Sequence, residues 1–198
     1  MKPWSLTGAF FMALSLFFLL LLMEYLSITN SADDLHFVQE LYLSAFPQKE
    51  RRDWEVLTGM IGAVPEMQLR LILEEEKPIG FITTWELGDW CFIEHFAISP
   101  EHRGKKYGKR VMRDFLGHNK VVLEVEPPLA EDAARRVKFY ERAGLVCLPF
   151  SYLQPPYRQE DAPYRMVLMS NLAEVSETAY QEIVNLIFEK VYDSTRRI

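Results

Sequence analysis

The stretch Ile98-Ser-Pro-Glu-His-Arg-Gly-Lys-Lys-Tyr-Gly108 decides how this chain folds, because it leaves a strand, turns tightly and opens a helix. Trp90–Ile98 before it is apolar and strand-forming. The segment from about Tyr107 to Leu116 after it has helical spacing, with Gly117 placed to end it at C′. The first amides of a helix lack internal acceptors and carry partial positive charge. Gly104 and Gly108 let the backbone approach an anion closely, or take positive φ, without a Cβ clash. Amides aimed inward over such a turn make a phosphate nest, and Arg103, Lys105, Lys106 and Lys109 add positive charge beside it. The turn lacks the Gly-Lys-Ser/Thr ending of a Walker loop and is not Gly-x-Gly-x-x-Gly.

Working toward the N-terminus, Gly88-Asp89 is a two-residue hairpin signal joining Ile79–Leu87 to Trp90–Ile98. Met67, Leu69, Leu71 and Leu73 alternate, so Met67–Glu74 reads as a half-buried strand, and Glu75–Pro78 as the polar turn after it. These three strands predict an antiparallel meander. A helix is expected from Trp54 to about Ile61. Another follows the capping-box signal Ser31-Ala-Asp-Asp34, with Leu35, Val38, Leu41, Tyr42 and Ala45 at helical spacing until Pro47. The charge run Lys49–Arg52 reads as a solvated turn between them. Leu26 and Ile28 alternate with Ser27 and Thr29 in a short first strand.

Toward the C-terminus, Val121–Val125 is an apolar strand, Pro127 and Pro128 break the chain, and Asp132–Ala143 is a helix stopped by Gly144. Strand–helix–strand at this length implies a parallel, right-handed crossover. Short strands near Leu145–Leu148 and Tyr164–Met169 flank a Pro/Tyr-rich loop, Tyr152–Tyr164. A last helix, from about Leu172 to Tyr192, carries Val175, Ala179, Ile183, Leu186 and Ile187 on one stripe, read as core or a dimer face. With no repeat and no linker, the expectation is one α/β domain with a mixed (α+β) sheet.

At 198 residues and 49% hydrophobic content, the chain can bury one sizeable core. A net charge of −6 leaves no basic excess to neutralise phosphates, so nucleic acid is not an expected partner, while a cationic amine is compatible. Cys91 and Cys147 lie in apolar segments, which fits buried thiols in a reducing compartment. The four histidines have no paired ligand spacing, and no metal is expected.

Two motifs then carry a resemblance. Arg103-x-x-x-x-Gly108 after the strand Ile93–Ile98 resembles motif A of the GNAT superfamily of N-acetyltransferases, Arg/Gln-x-x-Gly-x-Gly/Ala, with Lys106 standing where the motif has its central glycine. Val137-Lys-Phe-Tyr-Glu-Arg-Ala-Gly-Leu145 resembles the family's later helix–Gly–strand segment, with Ala133 in place of the asparagine often found seven residues before the tyrosine. The order of elements also matches, and the resemblance covers roughly Tyr25–Asn171. It implies a GNAT-like acyl-CoA N-acyltransferase fold whose central strands Trp90–Ile98 and Val121–Val125 are splayed, with acetyl-CoA as co-substrate. The pantetheine arm would lie in the gap against the backbone of Phe96, Ala97 and Ile98. The pyrophosphate would sit on Arg103, Gly104, Lys105, Lys106, Tyr107, Gly108 and Lys109, provided position 106 keeps a helical or extended φ. Residues 23–171 would then form the acetyltransferase domain and 172–198 a helical extension.

The resemblance also aligns Tyr140 with the tyrosine that protonates the departing thiolate in many members. A phenol of pKa about 10 stays protonated at neutral pH. A ring simply packed in the core is the competing account. The attacking amine must lose a proton, and Glu94 is the expected base, with Glu124 and His95 as further candidates. Glu94 and His95 are expected on opposite faces of their strand. The stiff aromatic run Tyr152–Arg158 is either an acceptor wall or an ordinary surface loop. Acetyl transfer to a small-molecule or peptide amine, by direct attack in a ternary complex, is the expected function. An acyl-CoA-binding sensor without turnover is the alternative, and a homodimer is compatible with either.

Residues 1–22 belong to an almost unbroken apolar run, Pro3–Met23, near the length of a membrane span. Lys2 before it, and no Lys or Arg after it until Lys49, favour an anchor with the N-terminus inside. That orientation would carry the rest of the chain away from cytosolic acyl-CoA. A start at Met23 instead gives a cytoplasmic enzyme, and a signal peptide is disfavoured by the weak charged region and the missing cleavage site.

Overall fold

The computed structural model describes residues 23–29, 31–158 and 160–193. The apolar run before Met23, with its anchor, signal and late-start readings, lies outside the described residues. Among the described residues, no helix is long and apolar enough to cross a membrane.

Strand β1 (Glu24–Ser27) is followed by helices α1 (Ala32–Ala45) and α2 (Trp54–Met60). Ser31 caps α1 by accepting from the Asp34 amide at 3.4 Å. The meander β2 (Met67–Glu74), β3 (Lys77–Leu87) and β4 (Trp90–Ile98) comes next, then α3 (Tyr107–His118), β5 (Lys120–Val125) and α4 (Glu131–Ala143). Short strands β6 (Val146–Cys147) and β7 (Tyr152–Gln154) precede β8 (Tyr164–Ser170) and α5 (Glu177–Leu186), which ends in a π-helical turn, Ile187–Tyr192. The sheet order is β1-β2-β3-β4-β5-β8-β6, with β7 paired to β8. Each face buries an apolar layer. One layer holds Tyr42, Leu57, Phe81, Trp85 and Ile187 under α1, α2 and α5; the other holds Val111, Phe115, Val137 and Tyr140 under α3 and α4.

Several expectations are corrected. Helix α3 runs through Gly117, because Asn119 ends it instead, with both its backbone N–H and its Nδ2 donating to the Phe115 carbonyl. Part of the Pro/Tyr-rich loop is strand β7. The last helix starts only at Glu177, where Ser176 caps it, and its buried stripe is Tyr180, Ile183, Val184 and Ile187. That stripe belongs to the same apolar layer as the meander. Cys147 is exposed on its edge strand, and Cys91 is half-buried.

Two irregularities shape the centre of the sheet. β4 and β5 run parallel but pair only from Trp90↔Lys120 to Ile93↔Leu123. Beyond that point β4 continues alongside β3, while β5 pairs Glu124 and Val125 with β8, so the strands part. In the β3–β4 ladder the register slips between Thr83↔His95 and Thr84↔Ile93, leaving Glu94 as the extra residue of a bulge. A bulge bends its strand, which turns β4 away from β5. It also changes which side chains share a face. Phe92 and Ala97 lie in one layer, and Ile93, Phe96 and Ile98 in the other, a pattern that strict alternation forbids. Glu94 and His95 therefore share a face, contrary to the expectation of opposite faces.

Candidate active site

The phosphate turn is built from backbone. Gly104 takes φ +76, and Lys106 takes φ +67 and ψ 9, so Lys106 adopts the left-handed conformation natural to the glycine it replaces. The expectation of a helical or extended φ at 106 is thus corrected. A non-glycine residue in that region costs about 1 kcal/mol. The helix opening at Tyr107 has no side-chain cap, and its first internal bond is Arg110 N–H to the Lys106 carbonyl at 3.1 Å. The amides of Tyr107, Gly108 and Lys109 are therefore left for an anion. A Cβ at Gly108 would stand 3.3 Å from Phe139 Cζ, so the turn and helix α4 meet closely there. These features, with Lys106 in the left-handed conformation, fit the pyrophosphate of a coenzyme.

From this turn a cleft of about 750 Å³ runs along the parted strands, within the usual range for small-molecule sites. Its wall includes Phe96, Ala97 and Ile98, which lie beyond the last β4–β5 pair, and Arg103, Gly104, Lys106, Tyr107, Gly108 and Lys109 from the turn; the Ile98 carbonyl accepts from Arg103 Nε at 3.1 Å. Lys105 is exposed and lies off this wall. Arg136, Phe139 and Arg142 from α4 also line the cleft, and neither arginine stood out in the sequence. Arg136 stands one turn before Tyr140 and so shares its helix face, a signal available in the sequence, whereas Arg142, two residues after Tyr140, carries no such signal. Tyr140 lines the same cleft, and burial pushes its hydroxyl up to about 12, so it remains a proton donor at any physiological pH.

At the other end, where the strands part, lie two carboxylates. Glu94 follows Ile93 and Glu124 follows Leu123, the last paired residues of β4 and β5. Both line the cleft, and their environments differ. Burial pushes Glu94 up, but the Arg52 charge, with hydrogen bonds from Trp85 and Tyr157, outweighs it and holds the carboxyl below its usual range. Arg52 Nε donates to Glu94 Oε1 at 2.9 Å and its Nη2 lies 2.8 Å away. Trp85 Nε1 donates at 2.7 Å and the Tyr157 hydroxyl at 3.1 Å. Among the described residues no cation forms an ion pair with Glu124, and Arg52 acts on it only weakly. Burial, with a smaller push from Glu94, raises it to about 7 against hydrogen bonds from the Tyr152 and Tyr192 hydroxyls.

Arg52 corrects the reading of Lys49–Arg52 as solvated. Its side chain is 1% exposed, and its Nη2 also donates to the Val191 carbonyl at 2.7 Å. His95 is buried beside this cluster, with Tyr42 and Phe46 edge-on to its ring and Tyr157 stacked on it. Its Nε2 lies 3.1 Å from the Glu50 carbonyl, which makes that nitrogen the donor and leaves Nδ1 with its lone pair unpartnered. Burial lowers its proton affinity, so it is neutral at pH 7. Gln154 and Tyr157 line the cleft, which turns the Tyr152–Arg158 run into wall at those two residues. Among the described residues there is no group of His, Cys, Asp and Glu able to hold a metal ion.

A turn with open helix-start amides, a parted pair of parallel strands and two carboxylates at the parting thus line one cleft. The sequence model of the Acetyltransferase (GNAT) family matches residues 35–145. A GNAT-family acetyltransferase structure from Bacteroides thetaiotaomicron shares 34% identity over 85% of this chain and 98% of that one, with a TM-score of 0.79. A spermidine N-acetyltransferase chimera from Vibrio cholerae is 16% identical over 80% of this chain and 98% of that one, with a TM-score of 0.52. A Bacillus subtilis acetyltransferase in complex with CoA is 12% identical over 75% and 97%, with a TM-score of 0.50. The last two show the fold alone. No curated protein matches the chain. The chain belongs to the GNAT acetyltransferase family.

Proposed function

We propose that the protein transfers an acetyl group from acetyl-CoA to a primary amine, by direct attack in a ternary complex, with Glu124 as the proton acceptor. The observation that carries the reading is the pair of carboxylates at the parting of the strands, one held low and one raised to about 7. Two like groups with separated proton affinities take different roles. A base works best with a pKa near the operating pH, which is where Glu124 stands. Glu94 is saturated by Arg52, Trp85 and Tyr157, so we assign it the role of fixed counter-charge.

The co-substrate supplies an activated thioester. The turn Arg103–Lys109 holds its phosphates, and the backbone of Phe96, Ala97 and Ile98 holds its arm. The acceptor nitrogen forms the new C–N bond as the C–S bond breaks, and Glu124 takes the nitrogen's proton. Tyr140, protonated at neutral pH, hydrogen-bonds the departing sulfur, whose thiol pKa of about 8.5 makes it an adequate leaving group. The bland account of Tyr140 as core packing does not explain its place on the cleft wall. Use of acetyl-CoA fits a cytoplasmic setting.

The test is acetyl-CoA binding by calorimetry, followed by turnover against a panel of aliphatic diamines, aminoglycosides and lysine peptides. Gly108→Trp should abolish binding. Tyr140→Phe should bind acetyl-CoA as the wild type does but lose about tenfold or more in kcat. Binding without turnover of any amine would favour the sensor alternative.

A further inference from the structure

We propose that the C-terminal π-helical turn, Ile187–Tyr192, is a working part of this site, with Tyr192 as the residue that positions Glu124 for proton acceptance. The inference rests on the role given to Glu124 above. It starts from helix geometry. In a continued α-helix the residue stacked one turn above Ile187 is Val191, and Tyr192 would point elsewhere. A π-helical turn is one residue wider and brings i+5 over i. Ile187, Val191 and Tyr192 are accordingly all buried, at 0%, 0% and 3% exposure.

The wider turn delivers two groups to the two carboxylates. The Tyr192 hydroxyl donates to Glu124 Oε2 at 2.7 Å. The Val191 carbonyl accepts from Arg52 Nη2 at 2.7 Å, and the same guanidinium holds Glu94. One turn of backbone thus ties down both acids at once. The Tyr192 ring also lies 5.2 Å from that of Tyr157, which itself donates to Glu94. π-helical turns concentrate at functional sites, since they trade helix hydrogen bonding for side-chain placement.

The groups facing Glu124 come from every element around it. They are Tyr152 from β7, Tyr192 from the turn, Tyr157 from the loop after β7, Arg52 from the segment before α2, and Glu94 on β4. Tyr152 binds the other carboxylate oxygen, so the two tyrosines hold Glu124 from both sides. Removing one donor destabilises the carboxylate more than the neutral acid, because the hydrogen bond to the charged form is the stronger one. The proton affinity of Glu124 must then rise.

The experiment is a carbon-13 titration of the glutamate carboxyls of the full chain saturated with CoA, with the Glu124 signal assigned by its loss in Glu124→Gln. Tyr192→Phe keeps the ring and removes only the hydroxyl. It should raise the Glu124 midpoint by about one pH unit and leave CoA affinity unchanged. The acidic limb of kcat/KM, measured with the amine turned over fastest, should move by the same amount, giving about tenfold slower turnover below the limb. Tyr152→Phe should act in the same direction. An unmoved midpoint, or a fall in CoA affinity that accounts for the loss of rate, overturns the inference. If the midpoint moves but Glu124→Gln keeps the wild-type acidic limb, Glu124 is not the base. The failure then belongs to the role assigned under the proposed function, and the positioning role falls with it.

Discussion

The phosphate turn and the carboxylate pair sit at opposite ends of one cleft and are built on opposite plans. The turn Arg103–Lys109 is seven consecutive residues whose proposed binding groups are backbone amides, and its residues are exposed or half-buried. The pair Glu94–Glu124 depends on side chains gathered from residues 52, 85, 94, 124, 152, 157 and 192, most of them buried. A backbone site tolerates side-chain change so long as φ and ψ survive. Lys106 illustrates this, because it takes a left-handed conformation that glycine would adopt more readily. A largely buried charge cluster responds to each member according to the partners it leaves behind, because a charge that loses its counter-ion there cannot be rehydrated freely.

That contrast predicts where substitutions bite hardest. Glu94→Ala leaves the Arg52 guanidinium buried and without its carboxylate. It should destabilise the fold by about 3–5 kcal/mol, measured by denaturant unfolding at pH 7. A loss below 1 kcal/mol would break the contrast. Glu124→Gln should do the reverse. A carboxyl with its folded pKa raised to about 7 from an ordinary 4.5 stabilises the fold fully only below that ordinary value, and the contribution is lost as pH rises through 7. The glutamine should therefore stabilise the protein by on the order of 2 kcal/mol at pH 8, with the gain vanishing below pH 4.5. The mildest change lies at the turn. Lys106→Gly relieves the left-handed strain and should alter stability by at most about 1 kcal/mol while acetyl-CoA binding persists. Loss of binding would mean that the lysine side chain, not the backbone, holds the phosphates.

The same contrast explains how much could be read beforehand. The meander, the crossover and the phosphate turn follow from local periodicity and from Gly88, Gly104 and Gly144 at turns, so they are legible in consecutive residues. The carboxylate cluster is not. Arg52 sits in a charge run that looks solvated, and only the fold turns its side chain inward against Glu94. The bulge at Glu94 leaves no mark in an apolar strand, so strict alternation assigns His95 to the wrong face. Tyr192 reaches Glu124 through a π-helical turn that no periodicity rule anticipates. Glu124 could be named as a candidate base, but its difference from Glu94 rests on partners distant in sequence. The expected strand at Leu145–Leu148 shrinks to Val146–Cys147, which pair with Ser170 and Met169.

The division of labour between the two acids is tested most directly by the pH dependence of kcat/KM for acetyl transfer, wild type against Glu124→Gln. The wild type should show an acidic limb near pH 7. The glutamine variant should lose it, along with about 10²–10⁴ in rate on the plateau. A Glu124→Gln enzyme that keeps both the limb and the plateau would contradict the account and return the search for the base to His95 and Glu94.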